Sequence, residues 1–280
     1  MQTPTAISDI SSRARLNSGV EMPWLGLGVY GIPKGHATQK AVKTALEVGY
    51  RLVDTARLYG NEEDVGIAVR QSGIARDEIF VTTKLWNTDH GYDSTLRAFQ
   101  ESLRRLNLDY IDLYLIHWPE PGLRSETWKA MIRILKQGKC RSIGVSNYTT
   151  RHLDELFSES DVIPDVNQVE FHPFLYQEKL LEYCRKNRIQ LEAYSPLAKG
   201  HRLDDPKIRE LAQKHRKTSA QILIRWSLQH QVVAIPKSSK RERIIENSQV
   251  FDFQLSTEEM RKLDSLTQAL RTSWDPTGVP

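Results

Sequence analysis

The regular alternation of short apolar runs with amphipathic segments constrains the fold of this chain more than any other feature of its sequence. Eight apolar runs have the length of a buried strand, and each is followed by at least one segment with helical periodicity. In chain order they are LGLGV, YRLVDTA, IFVTTKL, IDLYLIH, RSIGVSN, VNQVEFH, QLEAYSPL and VVAIP. Such alternation predicts a parallel sheet, and eight units without a linker predict that the sheet closes. We therefore expect an α/β chain folded as a (β/α)8 TIM barrel, with residues 1–280 forming a single domain.

Shorter elements are expected at the two ends of the chain. Asn17, Ser18 and Gly19 separate two short alternating runs, a pattern typical of an N-terminal β-hairpin. The segment TEEMRKLDSL predicts an additional C-terminal helix after the last barrel unit. Residues 1–13 are expected to form a flexible leader.

Composition and charge exclude several classes of protein. Apolar residues make up 39% of the chain and charged residues 26%, as in a soluble globular protein. The net charge of +4 arises from 39 basic and 35 acidic residues that are dispersed, so it does not indicate a nucleic-acid partner. Neither Cys140 nor Cys184 belongs to a C-x-x-C pair, and no signal-peptide core or membrane span is evident. We expect a cytoplasmic protein without a membrane partner, and a monomer by default.

Three glycines in LGLGVYGIP match the G-x-G-x-x-G fingerprint of dinucleotide-binding loops. In that motif a helix opens on the last glycine, whereas here Pro33 follows and the next helix is expected to begin near His36. We therefore favour a strand end and a tight turn over a phosphate cradle, and keep Gly28 as a candidate cofactor contact.

Polar side chains follow the second, third and fourth predicted strands. Asp54 ends the second, with Tyr59 in the loop behind it, Lys84 lies near the end of the third, and His117 ends the fourth. Active sites of barrels form at these strand ends. The ammonium of Lys84 is expected to lower the pKa of Tyr59, and Asp54 is expected to keep Lys84 charged. His117 is expected to form a hydrogen bond with a substrate oxygen. Each residue alone also has an ordinary structural role, as a cap, a packing ring or a core histidine.

Three longer motifs resemble the signatures of the aldo-keto reductase family. They are GYRLVDTARLYGNEEDVG, RSIGVSNY and IPKSSKRERIIENSQV, with KLWN, LIHWP, NQVEFHP and AYSPLAKG between them in the family's order. The similarity extends from about Leu16 to Pro276. It implies that Asp54, Tyr59, Lys84 and His117 form a catalytic tetrad. It also implies hydride transfer from NADPH to an aldehyde or ketone, with Tyr59 as the general acid.

The same resemblance implies a set of cofactor contacts. Ser146, Asn147 and Gln168 would bond the nicotinamide carboxamide, and the ring of Tyr194 would stack on the nicotinamide. The remaining implied contacts are Ser195 and Leu197 along the pyrophosphate, Lys237, Ser238 and Arg243 at the 2′-phosphate, Asn247 and Glu246 at the adenine, and Gly28, Asp54 and Ile235 elsewhere along the cofactor. The 2′-phosphate site favours NADPH over NADH. A solvated basic turn is the alternative interpretation of IPKSSKRER.

The substrate side of the site is expected to be aromatic. Tyr30, Trp86 and Trp118 match positions that line the family's carbonyl pocket, beside Tyr59 and His117, although packing at the barrel mouth is an alternative role. The connection PEPGLRS and the tail SWDPTGVP are short, whereas family members with longer segments there enclose bulky substrates. The resemblance therefore implies an open site for small aldehydes, dicarbonyls or keto sugars. Arg57 would either favour anionic substrates such as keto acids or pair with a surface carboxylate; both roles stay open.

Two other functions are compatible with these residues. A barrel lyase would use Lys84 to form a Schiff base with a carbonyl substrate. A non-catalytic protein would keep the scaffold to bind a cofactor and a partner. No metal is expected, because the histidines lack metal-ligand spacing.

Overall fold

A β-hairpin precedes the barrel in the computed structural model, which describes residues 7–280. Its strands, β1 (Arg13–Arg15) and β2 (Glu21–Pro23), pair antiparallel. Asp165 accepts a hydrogen bond of 2.9 Å from the backbone N–H of Ser18 in the hairpin turn. The predicted hairpin is therefore confirmed, and its turn is bonded to the loop before a barrel strand.

Eight parallel strands form one sheet in which each strand pairs with the next along the chain. They are β3 (Leu27–Gly28), β4 (Leu52–Asp54), β5 (Phe80–Leu85), β6 (Ile111–Ile116), β7 (Cys140–Ser146), β8 (Val166–Glu170), β9 (Gln190–Tyr194) and β10 (Val233–Ala234). The N–H of Ala234 donates to the oxygen of Trp24 at 3.0 Å, and the N–H of Gly26 donates back to Ala234 at 2.9 Å. Because these bonds join the last strand to the first, the sheet closes, and the predicted (β/α)8 barrel is confirmed.

Helices follow the barrel strands and cover the outside of the sheet. They are α1 (His36–Val48), α2 (Glu62–Arg70), α3 (Tyr92–Leu106), α4 (Arg124–Lys136), α5 (Thr150–Glu159), α6 (Glu178–Lys186), α7 (Pro206–His215), α8 (Ser219–Gln229), α9 (Arg241–Ser248) and α10 (Thr257–Asp264). The last is the predicted additional helix, and Ser256 caps its first turn by accepting from the N–H of Glu259. Among residues 7–280, no helix has both the length and the apolarity that crossing a bilayer requires.

Two glycines of LGLGVYGIP, Gly26 and Gly28, lie where the barrel closes. The N–H of Gly28 donates to the oxygen of Pro236 at 3.2 Å, and a Cβ at Gly28 would lie 2.9 Å from the backbone oxygen of Ile235. The following helix begins only at His36, as expected from the sequence. Glycine at position 28 thus permits two backbone segments to approach closely.

The segment expected to be a flexible leader lies partly outside the described residues, which begin at residue 7. Of the remainder, Ile7 and Ile10 pack against the core, and Asp9 accepts a 2.8 Å hydrogen bond from the N–H of Ser11. Residues 7–13 are therefore attached to the barrel, because their apolar side chains have a buried surface to contact. The division of the chain into a single domain stays a prediction.

Candidate active site

Strand topology brings the four predicted tetrad residues to one end of the barrel. Asp54 is the last residue of β4, Lys84 lies near the end of β5, and His117 directly follows β6. Tyr59 ends a short 3-10 turn, Arg57–Tyr59, behind β4. Since parallel neighbouring strands end at the same edge, residues far apart in the chain meet here.

A buried ion pair connects these residues. The ammonium of Lys84 is fully buried and lies 2.6 and 2.7 Å from the two carboxylate oxygens of Asp54. It also donates to the backbone oxygen of Thr55 at 3.0 Å and to the hydroxyl of Tyr59 at 3.3 Å. Removing either charge from such a site would leave the other buried and uncompensated. The pair therefore holds a positive charge beside the phenol of Tyr59.

The protonation states at the site differ from the sequence-based expectation in one respect. Desolvation, followed by the negative charge of Asp54, raises the pKa of Tyr59 well above its usual value. The net shift is therefore opposite to the lowering that was expected from the charge of Lys84 alone, because burial and the carboxylate raise the pKa of Tyr59. Tyr59 consequently keeps its proton at neutral pH, as a proton donor must.

His117 is neutral at physiological pH. Burial, followed by the positive charge of Lys84, holds the pKa of His117 well below its ordinary value. Its ring lies edge-on to the ring of Tyr59, with centroids 5.8 Å apart, and to that of Trp86 at 5.3 Å. A neutral imidazole retains one N–H that can donate to a substrate oxygen.

Polar side chains of the next strands continue the site. Asn147, directly after β7, donates from its amide to the backbone oxygen of His117 at 3.0 Å and to the hydroxyl of Ser146 at 3.1 Å. The amide oxygen of Asn147 accepts from the hydroxyl of Tyr194 at 2.9 Å. Gln168 donates to Asp54 at 2.8 Å. Amide and hydroxyl groups therefore adjoin the tetrad, and their oxygens can accept hydrogen bonds from the N–H groups of a planar carboxamide.

The loop after β9 has an unusual backbone. Ser195, Ala198 and Lys199 have φ angles of 48°, 47° and 52°. Non-glycine residues in this region are strained, and such strain is concentrated at functional sites. Leu197 lies within the same loop and is partly buried.

The basic segment after β10 is adjacent to the first strand. Lys237 forms a parallel bridge with Gly28, and its side chain is exposed. Arg243 is exposed in the first turn of α9. Of the other predicted contacts, Ile235, Ser238 and Asn247 are buried. Glu246 instead accepts a 2.8 Å hydrogen bond from the hydroxyl of Thr218, so in this structure its carboxylate connects α9 to the start of α8.

The barrel mouth has an aromatic wall that includes one residue the sequence analysis missed. Tyr30 lies 4.9 Å from the ring of Tyr59. Trp274, in the C-terminal tail, lies 5.3 Å from Trp118 and 6.3 Å from Trp86. The sequence feature that could have indicated Trp274 is a tryptophan in a mostly polar C-terminal tail.

Glu170 holds this tail in place and was also missed. This buried carboxylate ends β8 and accepts from the N–H and hydroxyl of Thr272 at 2.7 and 2.5 Å, and from the N–H of Ser273 at 3.1 Å. The ring of His172 also contacts it at 3.1 Å. This carboxylate is therefore one of several groups that bond the tail to the barrel, and Lys199, which donates to the backbone oxygen of Thr272, is another.

Arg57 pairs with a carboxylate, one of its two expected roles. Its guanidinium lies 2.9 Å from Asp89, in the loop after β5. This pair connects the loops that bear Tyr59 and Trp86, and it neutralises the charge that would have attracted anionic substrates. Within residues 7–280 no group of three His, Cys, Asp or Glu side chains could hold a metal ion.

Comparison with known proteins agrees with the motif resemblance. The model of the aldo/keto reductase family matches residues 25–268. Glyoxal reductase of Bacillus subtilis (strain 168) is 51% identical over 273 residues, which cover 98% of each chain. Methylglyoxal reductase DkgA of Escherichia coli (strain K12) is 45% identical over 280 residues, covering 99% of this chain and 98% of its own.

A solved structure gives the same result for the fold. The crystal structure of MGS-M4, an aldo-keto reductase enzyme from a Medee basin deep-sea metagenome library, matches with a TM-score of 0.92 at 46% identity. The match covers 96% of this chain and 99% of MGS-M4. With the family model and these relatives spanning nearly all of its length, the chain belongs to the aldo/keto reductase family and is an oxidoreductase.

Proposed function

We propose that this protein reduces small aldehydes and dicarbonyls to alcohols with NADPH, and that Tyr59 is the general acid. The observation that carries the proposal is the buried ammonium of Lys84, which lies between the carboxylate of Asp54 and the hydroxyl of Tyr59. The neutral ring of His117 lies beside the ring of Tyr59.

The residues of the site have separate tasks in this reaction. The hydroxyl of Tyr59 and the N–H of His117 bond the substrate carbonyl oxygen and stabilise the charge that develops on it. Tyr59 then gives its proton to that oxygen. The ammonium of Lys84, 3.3 Å away, stabilises the resulting phenolate, and Asp54 keeps the ammonium in place. NADPH, when bound, supplies the hydride.

The cofactor is held by the remaining predicted residues. Ser146, Asn147 and Gln168 present oxygen acceptors that suit the N–H groups of a carboxamide, whereas their own donors bond within the protein. The exposed cations Lys237 and Arg243 stand before and within the first turn of α9, where helix N–H groups favour an anion. A phosphate on the ribose would meet these charges, and we therefore favour NADPH over NADH.

The substrate class follows from the mouth of the site and from the relatives. Three tryptophans and Tyr30 form an aromatic wall, which suits compact, partly apolar carbonyl compounds. Two relatives are named as reductases of glyoxal and methylglyoxal. Keto acids receive no support from Arg57, because Asp89 neutralises it.

The lyase alternative is not favoured by the position of Lys84. A Schiff base requires a free amine that a substrate can reach, whereas this side chain is fully buried and bonded to two carboxylate oxygens. A cytoplasmic location and a monomeric state are proposed from the sequence alone.

The proposal is tested by measuring NADPH consumption with a panel of carbonyl compounds. We expect turnover of glyoxal and methylglyoxal, and a lower kcat/KM with NADH than with NADPH. Absence of cofactor oxidation with every carbonyl would refute the reductase assignment and leave the non-catalytic alternative. A preference for steroid ketones over small dicarbonyls would refute the substrate class.

A further inference from the structure

Glu192 is a buried acidic residue for which the proposed reaction has no role. It is the third residue of β9 and lies two positions before Tyr194, so both side chains point to the same side of the strand. It is fully buried. An acidic side chain at such a position is costly unless it is neutral or compensated.

The contacts of Glu192 are made through Gln168. The amide nitrogen of Gln168 donates to Asp54 at 2.8 Å and to Glu192 at 2.8 Å. An amide nitrogen carries two N–H groups, so these two bonds use both. The carbonyl oxygen of Gln168 is then the one atom of the amide left to bond a ligand, and within the described part of the chain no group donates to it.

The charges around Glu192 favour its neutral form. The groups that face it are Asp54, Lys84, Tyr59 and Gln168, and the adjoining strand β10 contributes only valine and alanine. Asp54 already compensates Lys84, so a second carboxylate would leave the cluster negative. One carboxyl oxygen of Glu192 also has no hydrogen-bond partner among residues 7–280. Burial, followed by repulsion from Asp54, raises the pKa of Glu192 to about 8.

We propose that Glu192 is a positioning residue for the cofactor: its neutral form fixes the amide of Gln168, and its ionised form adds a negative charge beside this amide, which would bond the cofactor carboxamide. The inference rests on the proposed function, because it requires that Gln168 bonds this carboxamide. Oxidised nicotinamide carries a positive charge that reduced nicotinamide lacks. A carboxylate at position 192 therefore stabilises bound NADP⁺ relative to bound NADPH.

The charge effect is tested by measuring the Kd of NADPH and of NADP⁺ by tryptophan fluorescence between about pH 6.5 and pH 9.5. In wild type the ratio of the Kd of NADP⁺ to that of NADPH is expected to fall about fivefold as the pH rises, because charges interact strongly in a low-dielectric interior. Glu192→Gln keeps the volume and an acceptor oxygen but has no ionisable proton, so its ratio stays constant. A constant ratio in wild type overturns the proposal.

The positioning effect is tested with Glu192→Leu, which removes the acceptor. Its Kd for NADPH is expected to rise by about threefold or more, the order of one lost hydrogen bond, whereas Glu192→Gln stays near wild type. If wild type, Glu192→Gln and Glu192→Leu have equal Kd values for NADPH, and their melting temperatures show that all are folded, the positioning role of Glu192 is overturned.

A measurement made without cofactor distinguishes failure of the proposal for Glu192 from failure of the proposed reductase function. The infrared difference spectrum between wild type and Glu192→Gln is expected to show a protonated carboxyl band at about pH 6.5 that disappears by about pH 9.5. A carboxylate band already at the lower pH overturns the role of Glu192. Failure of wild type to bind either coenzyme would instead refute the proposed function.

Discussion

Replacing Glu170 with glutamine is expected to weaken the attachment of the Thr272–Ser273 segment of the C-terminal tail to the barrel mouth. The buried carboxylate accepts hydrogen bonds from the backbone N–H groups of Thr272 and Ser273 at 2.7 and 3.1 Å. A hydrogen bond to a charged group contributes about 1.5 to 3 kcal/mol, and a neutral one about 0.5 to 1.5 kcal/mol. Glutamine keeps one acceptor oxygen but loses the charge and the second acceptor. The closed tail should therefore lose about 2 kcal/mol, or roughly 30-fold in the ratio of closed to open forms.

The assay is hydrogen exchange at the two amides that donate to Glu170. In Glu170→Gln, the protection of Thr272 and Ser273 is expected to fall by roughly 30-fold, because the open form exchanges freely. Glu182→Gln is the matched control, since this glutamate is exposed on α6. Protection within about twofold of wild type would refute the claim that the carboxylate holds the tail.

The pH dependence of the same contact has a definite sign. Burial raises the pKa of Glu170, but the hydrogen bonds from His172 and Thr272 outweigh it and place the pKa below its ordinary value. The stability contributed by a carboxylate with a lowered pKa is complete above the ordinary pKa and is lost as the pH falls through the folded-state value. Wild-type protection should consequently decrease in acid, whereas that of Glu170→Gln should depend on pH only through intrinsic exchange.

Three further changes test the buried carboxyl groups and the closure of the barrel. The pKa of Glu192 is raised from 4.5 to about 8 in the folded state. Between pH 4.5 and about pH 8, Glu192 therefore carries a proton in the folded protein but not in the unfolded protein. The free energy of unfolding of wild type, measured by urea titration, should therefore fall relative to that of Glu192→Gln by about 1.4 kcal/mol per pH unit from about pH 5 to pH 8. Plots of the free energy of unfolding against pH that run parallel for the two proteins would contradict this. Asp54→Asn leaves the buried ammonium of Lys84 uncompensated and should lower the free energy of unfolding by about 3 to 5 kcal/mol in urea titrations at neutral pH. An unchanged urea midpoint would contradict this expectation. Gly28→Ala should cost about 1 to 3 kcal/mol by thermal melting, because its Cβ would lie 2.9 Å from a backbone oxygen, whereas Gly278→Ala, with open space around it, should be neutral.

The position of the tetrad could be predicted from the sequence because barrel topology fixes where strand ends meet. Once the strands were identified, Asp54, Lys84 and His117 had to lie at the same edge, and the structure places them there. The glycine motif was also interpretable, since Pro33 excluded a helix that begins on the last glycine.

Contacts that depend on tertiary packing could not be predicted. The bond between Glu170 and Thr272 joins residues 102 positions apart, and no local pattern indicates it. The effect of Lys84 on Tyr59 was judged from charge alone, whereas desolvation decides the direction of the shift. An acidic residue two positions before Tyr194 in an apolar strand was the available signal for Glu192.

The central claim, that Tyr59 donates the proton, is tested most directly by comparing Tyr59→Phe with Tyr30→Phe. The two rings are neighbours, with centroids 4.9 Å apart, but only the hydroxyl of Tyr59 is bonded to Lys84. We predict that Tyr59→Phe lowers kcat for glyoxal reduction by about 10²- to 10⁴-fold, with an NADPH Kd within about threefold of wild type, while Tyr30→Phe retains most of its kcat. A Tyr59→Phe protein that reduces glyoxal at the wild-type rate would contradict the account.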